Sequence, residues 1–133
     1  ATMNSINVVI VNPKFIAAFM GTPLICCWLV AEALAVGVGS STDVALMFGG
    51  ALTLIIGEFL ETLVCHIPKN DALAAHKGGN DAEVWAKYYA SWTAWNHVRM
   101  VASLATVVQF SLALFYRGAR LPPDLHEPCP AFA

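Results

Sequence analysis

Charge is what this sequence has least of. Asp, Glu, Lys and Arg make up 12% of its 133 residues, against about 25% in a soluble globular domain. The seven Lys and Arg form no block and the net charge is -2, so the electrostatic footprint of a nucleic-acid binder is missing and that class is excluded. The apolar stretches show no period-two alternation, which argues against half-buried strands. No CxxC pair occurs: Cys26 and Cys27 are adjacent, Cys65 and Cys129 stand apart, and free thiols are the expected state. There is no basic leader of the signal-peptide kind and residue 1 is Ala, so a processed or incomplete chain is expected. What is abundant is apolar surface, with 58% hydrophobic residues and a mean hydropathy of +0.63. Those values place the chain in the membrane class.

Three stretches are long enough to cross a bilayer, which needs about 20 mostly apolar residues. The first, 15–38, is uncharged until Glu32 and contains Pro23, where a kink is expected. The second, 44–67, follows Ser41, Thr42 and Asp43, any of which can cap it, and is expected to stop at Pro68. Its last third carries Glu58, Glu61 and His66. The third, 98–116, is closed by Arg117 and Arg120. A soluble helical bundle would need polar outer faces that these stretches lack. The expected fold is therefore all-α, a single membrane domain over 1–133 with helices at about 13–38, 44–67 and 81–117 and an extended Pro-rich tail over 118–133.

Positive charges set the expected orientation. Lys14, Lys69, Lys77, Lys87 and Arg99 fall on one side of a three-crossing chain, Arg117 and Arg120 on the other. The positive-inside rule then puts the 67–97 connection in the cytoplasm, of a bacterial inner membrane, and the tail outside. Within that connection Asn80 or Asp81 can cap a helix that Glu83 favours in its first turn, and nothing obliges this helix to stop before Tyr116. At 1.5 Å per residue it would outrun a hydrocarbon core of about 30 Å. Just where it meets the headgroups stands "WTAWNHVR", residues 92–99. Trp85, Tyr88 or Tyr89, Trp92, Trp95 or Asn96, and Arg99 recur at three- and four-residue steps and share one stripe. An interfacial aromatic belt explains the Trp and Tyr, but Asn96, His97 and Arg99 would be costly facing lipid, so some of them should face inward.

The segment "WAKYYASWTAWNHVRMVASLA" resembles the signature of the anthrone oxygenase-like family of small four-helix membrane proteins, through Trp85, Tyr88, Trp92, Trp95, Asn96 and Arg99. "TLVCHIPKNDAL" is similar to a second family block at Thr62, Pro68, Asn70 and Leu73, and "MNSINVVIVNPKF" to a third at Asn7, Asn12 and Pro13. The likeness covers about residues 2–117. Three features depart from it: the family's first apolar helix has no counterpart here, His66 stands where an Asn is usual, and Lys69 where a Leu is usual. The resemblance implies oxidation of anthrones to anthraquinones by dioxygen, with no evident cofactor.

Such a reaction needs a base for an activated C–H, donors for an enolate oxygen and a flat apolar pocket. The sequence offers His97 or His66 as base, Asn96 and Arg99 for the oxyanion, and Trp92, Trp95 and Tyr88 as stacking surfaces, with Asn70 and Glu58 as further binding residues. The plainer readings are interfacial side chains for the two histidines and caps or turn residues for Asn70 and Asn12. Glu58 lies deep enough to require a partner, for which Arg99 is the nearest candidate, whereas Glu61 can snorkel. A metal is not expected, because the Glu-x-x-His pair of carboxylate di-iron bundles is missing, although two histidines at one depth leave haem, chlorophyll or a metal open. The rival to an enzyme is an accessory subunit that packs on other membrane helices or on its own copies, since Gly50 and Gly57, Ala17 and Gly21, and Ala102 and Thr106 lie at small-residue packing intervals. A transporter lacks support, three helices giving no inverted repeat.

Overall fold

A computed structural model describes residues 12–120. Asn7 and the tail beyond Arg120 lie outside the described residues. The elements are α1 (Pro13–Val36), α2 (Thr42–Leu54), two wide-wound π-helical stretches (Ile55–Leu60 and Thr62–His66), α3 (Ile67–Ala75) and α4 (Asp81–Arg120). Among the described residues there is no strand. The chain is an all-α helical bundle, and the helices Pro13–Val36, Thr42–Ala75 and Asp81–Arg120 are each long and apolar enough to cross a membrane.

Local chemistry fixes most helix ends. Asn12 caps α1, its Oδ1 accepting from the Phe15 N–H at 3.0 Å, and Pro13 occupies the first turn, where a missing N–H costs nothing. Helix α1 runs through Pro23 and ends at Gly37, whose φ of +97° leaves the helical region while its N–H still bonds Ala33 O at 2.9 Å. Asn80 and Glu83 cap α4 reciprocally: Asn80 Oδ1 accepts from the Glu83 N–H at 3.4 Å, and Asn80 Nδ2 donates to Glu83 Oε2 at 3.2 Å. Between α3 and α4 the chain turns on Gly78 and Gly79, at φ of +77° and +118°. The 40 residues of α4 reach about 60 Å, twice a hydrocarbon core of about 30 Å.

One end differs from expectation. The second membrane helix does not stop at Pro68 but continues to Ala75. The π winding that precedes Pro68 ends at His66, so the proline falls in the first turn of the next α-wound stretch, where its ring and missing N–H are tolerated. Of the three candidates for the start of α2, Ser41 takes the N-cap position, and Asp43 has another role. It is buried and bonds to Arg120 at the far end of α4, tying the start of one helix to the end of another.

Helix α2 is central, with α1 along one side and α4 along the other. The seam residues are small: Cys26, Ala33, Ala51 and Ala113 are the buried apolar side chains, while Leu24, Val64 and Leu114 stand about 70% exposed. That inverts the soluble pattern and suits helices that associate by close approach in lipid rather than by hiding bulk from water. The closest approach is at Gly57, where a Cβ would come within 2.5 Å of Ala102 Cβ; at Gly50 it would meet the Phe110 ring at 2.9 Å. Within the same π stretch, Phe59 packs on Phe19 of α1 with ring centroids 5.2 Å apart. Gly57→Ala should accordingly destabilise the bundle by about 1–3 kcal/mol, with Ala102→Gly in the same chain restoring most of the loss, as read by thermal unfolding in detergent.

Candidate functional site

The polar cluster lies where the π-wound end of the second helix and α3 face the first half of α4. Its centre is His66, 3% exposed, with Glu61, 7% exposed, beside it. Nδ1 of His66 bonds to Glu61 Oε2 at 3.0 Å; Oε1 is nearer, at 2.8 Å, but has no donor directed at it. In an α-helix, residues five apart point about 140° away from each other. The i→i+5 winding of Thr62–His66 widens the turn and brings the two side chains onto one face. On the other side of the His66 ring stands Trp92, edge-on, with centroids 5.4 Å apart. His66 Nε2 is buried without a hydrogen-bond partner.

The sequence-selected residues divide around this centre. Trp92 meets His66, and the charges of Arg99 and Lys69 act on its ring. Asn96 accepts from Arg99 Nη2 at 2.7 Å, so the guanidinium bonds one turn back along α4. Tyr88 donates to Asn70 Oδ1 at 2.7 Å, joining α4 to α3. Lys69 donates to Cys65 O at 3.3 Å and sits 5.7 Å over the Trp95 ring, a cation–π distance. His97 is not brought to the cluster; it is exposed on α4. Glu58 is half-buried and, among the described residues, has no ion pair; its carboxylate stands within electrostatic reach of the Cys26 thiol. The partner expected for it, Arg99, is engaged with Asn96 instead.

Glu61 is the residue the sequence reading passed over, having been assigned to the water interface. The signal was present as a carboxylate five residues before a histidine within an apolar run, but α periodicity separates such a pair and only the π winding unites it. A cavity of about 290 Å³ opens between α3 and α4, walled by Lys69, Leu73, Val84, Tyr88 and Ser91. Counting along both helices, His66 and Trp92 lie one turn further into the bilayer than Lys69 and Tyr88 of that wall. A larger cleft of about 610 Å³ lies at the opposite end of the bundle, bordered by Glu32, Asp43, Arg117 and Arg120; it contains none of the residues selected from the sequence. Among the described residues no three His, Cys, Asp or Glu converge as a metal-binding group.

Three apolar helices long enough to cross a membrane, with a polar, aromatic constellation at one end in which His66 and Glu61 are buried, describe an integral membrane helical bundle. The family model described as anthrone oxygenase matches residues 14–109, which include every residue of that constellation, and the chain belongs to that family. No curated protein and no solved structure gives a match.

The Tyr88–Asn70 bond joins α3 to α4 alongside the Lys69–Trp95 contact and the His76–Asp81 pair, and it should be separable from the rest of the site. Tyr88→Phe is expected to cost about 0.5–1.5 kcal/mol and to speed amide hydrogen exchange in Ile67–Ala75 while leaving the interior of α1 unchanged.

Proposed function

We propose that the cluster around His66 binds a flat, lipid-soluble aromatic molecule and oxidises it with dioxygen without a resident cofactor. The observation that carries this reading is the His66 ring, 3% exposed and edge-on to Trp92 inside a membrane-crossing helix. An imidazole buried there with only one ring nitrogen hydrogen-bonded marks a functional candidate. Family membership supports the reaction type. In an anthrone the ring methylene becomes a carbonyl: one oxygen atom of O2 enters the ring, and the two methylene hydrogens leave with the other as water.

The parts have physical roles. His66 takes the proton, the exposed His97 being poorly placed for it. Arg99, oriented by Asn96, offsets the negative charge on the enolate oxygen. Trp92 offers an aromatic edge, and Tyr88, with Asn70 behind it, walls the adjoining cavity; Trp95 and Glu58 flank the site. The positive charges Lys14, Lys69, Lys77 and Lys87 favour a cytoplasmic position for this end, in a bacterial inner membrane, with the C-terminal tail outside. The substrate then enters from the lipid, where a polycyclic aromatic concentrates.

The second reading is a non-catalytic subunit of a larger membrane complex or a homo-oligomer, favoured by the broad apolar outer faces of α1 and α4. Gly50 and Gly57 add little to it, because α4 of the same chain already occupies that face.

The deciding experiment gives 9-anthrone to the purified protein in nanodiscs and follows retention by native mass spectrometry and oxygen uptake by electrode. Wild type should retain anthrone and consume oxygen, and Trp92→Ala and Arg99→Ala should each weaken retention about tenfold, equivalent to about 1.4 kcal/mol. A wild-type protein that retains no anthrone and instead carries a stoichiometric protein partner would replace the enzyme by the accessory subunit.

A further inference from the structure

Glu61 and His66 form a unit that neither the family assignment nor the aromatic cluster explains. Two wide-wound stretches interrupt an otherwise α-helical crossing, and the second of them runs from the residue after Glu61 to His66. Stretches of this kind inside α-helices recur at functional sites. Their effect here is specific: they turn a five-residue spacing into a contact, with both side chains 4% exposed and Nδ1 of the ring against the carboxylate. Fixing one ring nitrogen in this way defines what the other can do. The other nitrogen, Nε2, is buried and has no partner in the protein, so a ligand group is free to engage it.

We infer that Glu61 is the positioning residue of the site: it holds the Nδ1–H of His66 and leaves the Nε2 lone pair to accept the proton that the activated C–H of the substrate gives up. This rests on the reading that the cluster binds a flat aromatic molecule. In the step, the substrate C–H bond breaks and its proton moves to Nε2. The electron pair stays on the substrate and delocalises to the carbonyl oxygen as an enolate. No electron leaves the substrate until dioxygen, the oxidant, takes part.

The charges around the ring suit that redistribution. Glu61 lies on the Nδ1 side and balances the imidazolium that forms, as the carboxylate of a His-carboxylate couple does. Lys69, one turn along the same helix, and Arg99, from α4, are the cations that act on the ring. Both favour an ion pair in which the new negative charge sits on a ligand oxygen. On the protein the enolate and the imidazolium therefore stabilise each other.

The test excludes oxygen, so that no turnover occurs, and titrates 9-anthrone bound to the protein in nanodiscs while recording the enolate absorption band. Empty nanodiscs give the reference midpoint. In wild type the enolate should appear at least one pH unit below that reference, a tenfold effect or more. Glu61→Gln should raise the midpoint by about one unit while changing anthrone retention less than twofold, and His66→Gln should abolish the shift. Equal midpoints in wild type and both variants, with anthrone still retained, would overturn this inference and leave the binding reading standing. Failure of wild type to retain anthrone would overturn both. Should Glu61→Gln not fold, Glu61→Asp takes its place: the shorter carboxylate should raise the midpoint, and a wild-type midpoint there counts against the assignment.

Discussion

A carboxylate and an imidazole buried together in an apolar helix constrain everything near them. Neither Glu61 nor His66 can be held alone in such surroundings without a large desolvation cost, so each requires the other within hydrogen-bond reach. A regular α-helix cannot provide that reach at a spacing of five. The helix therefore winds wide over this stretch, and the wide winding sets where Trp92 can stand, places Pro68 at the start of a new α-wound segment, and sends α3 on towards the aromatic half of α4. The site follows from satisfying one polar pair.

The bundle around it depends on the opposite property, the smallness of the seam. Gly57 against Ala102 and Gly50 against Phe110 bring the second crossing and α4 into close approach. In lipid there is little to gain by turning leucine inward, since the hydrocarbon chains receive it equally well, and the large side chains stand outside accordingly. Close approach also explains how a bundle with so thin an interior can still enclose Thr106, Glu61 and His66.

What the sequence disclosed and what it hid divide along a physical line. Class and caps were legible because they rest on residue type: the long apolar runs, Asn12 before Pro13, and Asn80 three residues before Glu83 carry their own local chemistry. The aromatic stripe on α4 was legible because 3.6-residue periodicity governs it throughout. The Glu61–His66 pair was hidden because that periodicity fails where the pair forms, and the rule that served elsewhere separated its members. Arg99 was assigned to Glu58 on depth alone, whereas the guanidinium finds Asn96 one turn away on its own helix at far lower conformational cost. Asp43 and Arg120, 77 residues apart, could be paired only once the helices were packed.

The wide winding also has a meaning in terms of insertion and deletion. Each residue of an α-helix advances the chain by about 100°, so one residue added to or removed from a regularly wound stretch of this crossing would rotate all that follows by about that angle. A helix that accommodates extra residues by winding wide absorbs such a change locally and keeps both flanking faces in register. The stretch from Ile55 to His66 is thus the one place in this crossing where chain length can vary without turning Asn70 away from Tyr88, and also the one place where a single deletion would dismantle the buried pair while leaving a helix of ordinary appearance.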